Sequence, residues 1–153
     1  MYIFLEEHKN FLYDLISAEI EFVLVGGYAV NYYGYNRSTG DMDLFIKPDN
    51  KLKPKIFEIL KKNNISIEGL ALFETINLEE TTMFSIWEPP YKIDFLTRIN
   101  NVSFEEAWTK KNLLPLKNKF IGIINYDHLI LSKFSTTRLK DKLDIEELQK
   151  INK

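Results

Sequence analysis

Three aspartates are the residues of this sequence best suited to chemistry. Asp41 and Asp43 stand two apart in the run DMDLFI, residues 41–46, and Asp94 lies in YKIDFLT, residues 91–97. The first run alternates polar and apolar residues, which predicts a β-strand. Residues i and i+2 of a strand share a face, so Asp41 and Asp43 project together while Met42, Leu44 and Ile46 turn toward a core. Two carboxylates about 4 Å apart repel by roughly 4 kcal/mol at an effective dielectric of about 20. Protonation of one, a paired cation or screening by water each relieves that cost. The functional solution is a divalent metal, and Mg²⁺ in particular takes oxygen ligands and shares its shell with substrate phosphates. Asp94 shares its strand face with Lys92 and Leu96, opposite Ile93 and Phe95. If the two strands are neighbours, the three acids converge. Three convergent carboxylates suffice for two metal ions and in-line phosphoryl chemistry.

A second feature lies just upstream. Gly26 and Gly27 follow the apolar run FVLV, residues 22–25, and precede a short helical stretch. Glycine lets a backbone approach a phosphate closely, and a helix N-terminus offers free N–H groups. Taken singly, a D-x-D pair is commonly a solvated strand end and a Gly-Gly pair a turn. The weight lies in the ordered set: strand, Gly-Gly, short helix, D-x-D strand, later acid on an alternating strand.

These residues need elements to hold them. Apolar spacing predicts an amphipathic helix over 3–19, with Phe4, Phe11, Leu12, Leu15 and Ile16 inward. A strand over 22–25, a short helix over 28–33 ending at Gly34, and a strand over 41–46 follow. A helix is expected over about 51–63, its other face rich in lysine. Residues 65–80 carry no clear pattern. Two β-type runs, 81–87 and 91–97, flank Glu88-Pro89-Pro90 and read as a hairpin. Ser103 and Glu106 form a capping box for a helix over about 103–110. A strand over 119–124 leads to a helix over about 126–137, capped by Asn125, with Ile130, Leu131 and Phe134 inward. A last helix spans about 140–151. The order predicts an α+β fold with a central mixed or antiparallel sheet, helices on one face and a short C-terminal helical segment, all in one domain over 1–153.

Composition narrows the classes. With 20 basic and 22 acidic side chains the net charge is −2, without the basic excess of a protein that grips long nucleic acid. There is no cysteine, which excludes disulfides, thiolate zinc sites and a cysteine nucleophile. His8 and His128 are far apart, outside any HExxH pattern, and read as surface or helix residues. Charges interrupt the N-terminal run where a signal peptide needs apolar residues, and no stretch is apolar enough to span a bilayer. A cytoplasmic protein is expected.

The combined pattern resembles the nucleotidyltransferase superfamily related to DNA polymerase β. Its hallmark is a Gly-Gly or Gly-Ser turn, a short helix, a D-x-D strand and a later third aspartate: here Gly26, Gly27, Asp41, Asp43 and Asp94. The tighter likeness is to small bacterial enzymes that include the AbiEii-type toxins. Their phrase G-G-x-A-x-x-x-x-G-x-x-R-x-T-x-D-x-D is matched by Gly26, Gly27, Ala29, Gly34, Arg37, Thr39, Asp41 and Asp43. A C-terminal phrase is matched by Leu129, Ile130 and Lys133, then Arg138, Lys140, Asp141 and Asp144.

The resemblance implies a nucleotidyltransferase fold and roles for single residues. Gly26 and Gly27 would cradle a nucleoside triphosphate. Asp41 and Asp43 would hold two Mg²⁺ ions; Asp94 would bind one and accept the proton of the attacking hydroxyl. Lys133 would reach a phosphate, its bland alternative being an exposed helix lysine. Arg37 would meet a phosphate or pair with a nearby acid. Asp141 and Asp144 read as helix N-terminal acids favoured by the dipole, and Arg138 and Lys140 as substrate contacts. The implied reaction moves a nucleoside monophosphate to a hydroxyl. The leading acceptor is transfer RNA, as for AbiEii-like toxins with their antitoxin partners, and the alternative is a small hydroxyl compound, as for lincosamide- and aminoglycoside-modifying enzymes. The short chain and slight acidity lean toward the second. A non-catalytic nucleotide-binding partner module is the third reading, against which stand the three acids. The cluster Tyr28, Tyr32, Tyr33 and Tyr35 would line a substrate mouth or, more commonly for such a stripe, pack into the core.

Overall fold

The computed structural model describes residues 4–152. In chain order the elements are α1 (Glu6–Ser17), β1 (Phe22–Val25), α2 (Gly26–Tyr32), β2 (Asp41–Ile46), α3 (Lys53–Lys62) and α4 (Ile67–Glu74). There follow β3 (Met83–Ile86), β4 (Lys92–Leu96), α5 (Phe104–Thr109), β5 (Asn112–Leu116), β6 (Lys119–Ile123), α6 (Tyr126–Lys133) and α7 (Leu139–Ile151). The strands form one mixed sheet in the order β3-β4-β2-β1-β6-β5. β2 is antiparallel to β1 and parallel to β4, β1 is parallel to β6, and β3–β4 and β5–β6 are antiparallel hairpins. This is the expected α+β architecture.

Alternation in β2 and β4 decides which face is buried. Met42 pairs with Ile93 and Leu44 with Phe95, and all four are buried. On that face Phe11 of α1 meets Phe95 edge-on at 5.9 Å, and Phe73 of α4 meets Phe84 at 5.2 Å. Each such side chain contributes roughly 1.5–3 kcal/mol by leaving water. Phe45, on the opposite face, is covered by Phe104 of α5 at 5.3 Å. The acids at the start of β2 share Phe45's face, beyond this packing.

Several expectations need correction. The helix expected over 3–19 spans Glu6–Ser17, and residue 3 lies outside the described residues. The short helix begins at Gly26 rather than 28, so the glycines belong to its first turn. The unpatterned stretch 65–80 contains α4, started by Ser66, whose side chain accepts from Gly69 N. β5 escaped notice because Pro115 interrupts it; an edge strand tolerates a residue with no N–H to donate. The helix expected to 137 stops at Lys133, because Phe134 is extended and Ser135 has φ 66°. Leu131 and Phe134 are therefore exposed, and Leu129 and Ile130 point inward. His8 is fully buried, not superficial: Nε2 lies 3.1 Å from Tyr91 O and Nδ1 3.4 Å from the Tyr28 hydroxyl. The box at Ser103 and Glu106 forms with both reciprocal hydrogen bonds.

Candidate active site

Register brings the three acids together. Parallel pairing sets Asp43 directly against Asp94 and Asp41 against Lys92. One carboxylate oxygen from each of Asp41, Asp43 and Asp94 lies within 4.8 Å of the others. β3 supplies the next layer: Ser85 faces Asp94 across the hairpin, and its hydroxyl donates to Asp94 Oδ1 at 2.5 Å. Lys92 Nζ stands 3.6 Å from the same oxygen.

The electrostatics divide the three. Burial, with repulsion from Asp41 and Asp94 behind it, pushes the Asp43 carboxyl up to about 7. Burial and a hydrogen bond with Asp94 raise Asp41 as well. Burial works to raise Asp94 too, but the Ser85 hydroxyl, shared protons from Asp41 and Asp43, and Lys92 outweigh it and hold Asp94 below its ordinary value. Asp41 and Asp43 thus bind protons more readily than an ordinary aspartate, and Asp94 less readily. All donors are oxygens, the set that suits a hard divalent cation such as Mg²⁺. Three close-set acids that Lys92 and Lys133 offset only in part fit such an ion.

The glycines are explained by the same register. Val25 pairs with Asp43, so the chain leaving β1 at Gly26 passes the Asp43 carboxylate. Gly26 has φ +68°, and any Cβ there would overlap Asp43 Oδ2. A Cβ on Gly27 would stand 2.6 Å from Thr39 Oγ1 and 3.2 Å from Arg37 Nη1. Thr39 in turn donates to Asp41 O at 2.9 Å, tying the loop to the start of β2.

Beside the acids in the same cleft lies a cluster of ion pairs. Arg37 grips Asp144 bidentately, Nε to Oδ1 at 2.7 Å and Nη2 to Oδ2 at 2.8 Å. Lys133 Nζ lies 2.9 Å from Asp144 and 3.2 Å from Asp141. Lys133 is buried, unlike an ordinary exposed helix lysine, and its charge reaches Asp43. Asp144 is fully buried on α7, so it is an ion-pair partner rather than a dipole-stabilised surface acid. Burial favours its protonated form, but Arg37 and Lys133 overcome this and hold it low.

Acids, glycines, Arg37 and Lys133 line one cleft of about 400 Å³, with Arg98, Arg138 and Lys140 beside them. Every residue singled out in the sequence for metal or phosphate lies in this cleft. Sequence reasoning missed Ser85 and Arg98 as neighbours and misread Asp144. For Ser85 the signal was there, since it alternates with Phe84 and Ile86 on the strand paired with Asp94. None of the four tyrosines lines the cleft; Tyr28 is buried in the core, and Tyr32, Tyr33 and Tyr35 pack against it. The α3 lysines stay outside it as well.

No family model matches the chain, and no curated protein matches it. Among solved structures it is similar to the lincosamide antibiotic adenylyltransferase LnuA in its lincomycin-bound crystal form. The TM-score is 0.56 at 16% sequence identity, over 99% of each chain. The chain thus has a nucleotidyltransferase fold. Among the described residues no helix is long and apolar enough to cross a membrane.

Proposed function

We propose that this protein is a nucleotidyltransferase, moving a nucleoside monophosphate from a nucleoside triphosphate to a hydroxyl acceptor. The observation that carries the reading is the register-locked cluster of Asp41, Asp43 and Asp94 beside Arg37 and Lys133 in one cleft. Asp41, Asp43 and Asp94 would hold divalent metal, two Mg²⁺ ions by the family resemblance. Bound metal supplies positive charge that offsets the charge developing on the phosphate and aligns attacker and leaving group. Arg37 and Lys133 orient the phosphates of the donor. Gly26 and Gly27 leave backbone room for them beside Asp43. The acceptor hydroxyl attacks the α-phosphorus, its new O–P bond forms, and the bond to the β-phosphate oxygen breaks to release pyrophosphate. Asp94 takes the hydroxyl proton; it is charged at neutral pH, as a proton acceptor must be.

For the acceptor we favour a small hydroxyl compound. The chain matches a compact antibiotic-modifying enzyme along the full length of both chains. The lysines of α3 stand apart from the cleft and do not extend it into a basic track for RNA. One observation supports transfer RNA as the second reading: Arg98, Arg138 and Lys140 line the cleft and offer phosphate contacts.

The test is incubation with Mg²⁺ and each α-labelled nucleoside triphosphate, beside an Asp43→Ala control. Total transfer RNA and a panel of aminoglycosides and lincosamides serve as acceptors. We expect label on a small acceptor with wild type only. Label on RNA would move the assignment to the second reading. Transfer by Asp43→Ala at the wild-type rate, or metal-dependent binding of no nucleotide, would remove the enzyme reading.

A further inference from the structure

We propose that Asp144 is a positioning residue that sets the triphosphate-binding posture of both cations in the cleft; the inference rests on the nucleotide-transfer reading above. Asp144 lies on α7, Lys133 ends α6, and Arg37 sits in the segment between α2 and β2. No local geometry brings these three together. The carboxylate does so from a fully buried position, with both oxygens engaged by the guanidinium and one also by the ammonium. Two like charges converging on one cleft would otherwise turn apart.

The donors left over point to the purpose. Arg37 has five N–H groups. Nε and Nη2 each spend one on Asp144, and Nη1 spends one on Ser38 O at 3.2 Å. Two guanidinium N–H groups thus have no protein acceptor among the described residues. Lys133 has three, of which Asp141 and Asp144 take two. Both side chains line the cleft that holds the acids. Lys133 acts on Asp43, and Arg37 lies close against Gly27, where a Cβ would stand 3.2 Å from its Nη1. Asp144 therefore fixes the orientation of two cations while leaving each donors for phosphate oxygens. Asp141 also meets Lys133, at 3.2 Å, but its other ion pair is with the exposed Arg138 rather than Arg37, so it does not substitute for Asp144 in holding both cations.

Asp144→Asn keeps the shape of the side chain and removes its charge. The amide offers one acceptor oxygen and turns its NH₂ toward one of the two cations. Inorganic tripolyphosphate is the probe, since it carries the phosphate chemistry without committing to a base. Mn²⁺ is the second probe and reads the acid cluster. Losing oriented, charge-assisted hydrogen bonds should weaken tripolyphosphate binding about tenfold or more, while Mn²⁺ affinity stays within about twofold of wild type. A purely structural Asp144 would lower both by the same factor, through the folded fraction, or neither.

A second measurement needs no variant: in wild type the Arg37 Nε–H resonance should shift when tripolyphosphate is added. Unchanged tripolyphosphate affinity in Asp144→Asn, proportional loss of both ligands, or an unmoved Arg37 resonance with tripolyphosphate bound overturns the inference alone. Wild type that binds neither Mn²⁺ nor tripolyphosphate overturns the nucleotide-transfer reading, and the inference with it.

Discussion

Two carboxylate groups in one cleft solve the same problem in opposite ways. Asp144 is fully buried, yet its proton affinity is held low because Arg37 and Lys133 meet it. Asp43 is pushed up to about 7, by burial first and then by the charges of Asp41 and Asp94, because no cation pairs with it closely enough to offset them. Two cations meet the single Asp144 carboxylate, whereas the three acids are offset only in part, by Lys92 beside Asp94 and by the charge of Lys133. A charge balanced internally holds elements in place; a charge left unbalanced waits for something from solution.

The largest break in that contrast is expected at the paired side. Arg37→Ala leaves Asp144 buried with Lys133 alone and should destabilise the protein by about 3–5 kcal/mol, read as a fall in denaturant midpoint. Asp43→Ala should do the reverse. It relieves repulsion, so metal-free stability should hold or rise, while transfer falls about 10²–10³-fold. If Asp43→Ala instead unfolds the protein, the acids are structural and the contrast collapses.

Metal sharpens the comparison. Saturating Mg²⁺ at about 100 times its Kd should stabilise wild type by about 2.7 kcal/mol, a gain that Asp43→Asn should lack. pH separates the two clusters by sign. Asp43 has a raised folded value, so its contribution is fully present below the ordinary carboxylate range and is lost as pH rises through about 7. Asp144 has a lowered one, so its contribution is present above the ordinary range and is lost as pH falls through its folded value. Metal-free stability should thus fall between about pH 4 and 7, by at most about 1.4 kcal/mol per pH unit for one group. Asp43→Asn should flatten that slope in chemical denaturation across pH. The smallest effect belongs to Ser85→Ala, which should cost about 1–2 kcal/mol of stability and raise the proton affinity of Asp94. Asp94 titration by carboxyl NMR would read it.

Legibility in the sequence followed the same divide. The acid cluster was readable because strand periodicity alone assigns faces: Asp41 and Asp43 had to share one, and Ile93 and Phe95 turned Asp94 away from the core. The sequence left the neighbourhood of β2 and β4 as a condition, which the parallel pairing Asp43↔Asp94 meets. The paired cluster was not readable. Arg37 and Asp144 are 107 residues apart, and an acid in the second turn of a helix has the same local pattern whether it is surface or core. α4 hid because its buried face is small, with Phe73 alone buried. β5 hid because Pro115 reads as a breaker unless the strand is known to lie at an edge. Leu131 and Phe134 were misplaced because apolar spacing does not reveal where the helix stops.

The most direct measurement is calorimetric titration of Mg²⁺ or Mn²⁺ into wild type and Asp43→Asn near pH 6.5, in buffers of differing ionisation enthalpy. If the acid cluster awaits a cation, wild type binds metal and releases protons as Asp43 ionises, and Asp43→Asn loses most of the affinity and the proton release together. Binding without proton release, binding unchanged in Asp43→Asn, or no binding by wild type would contradict the claim that these three acids form a metal site.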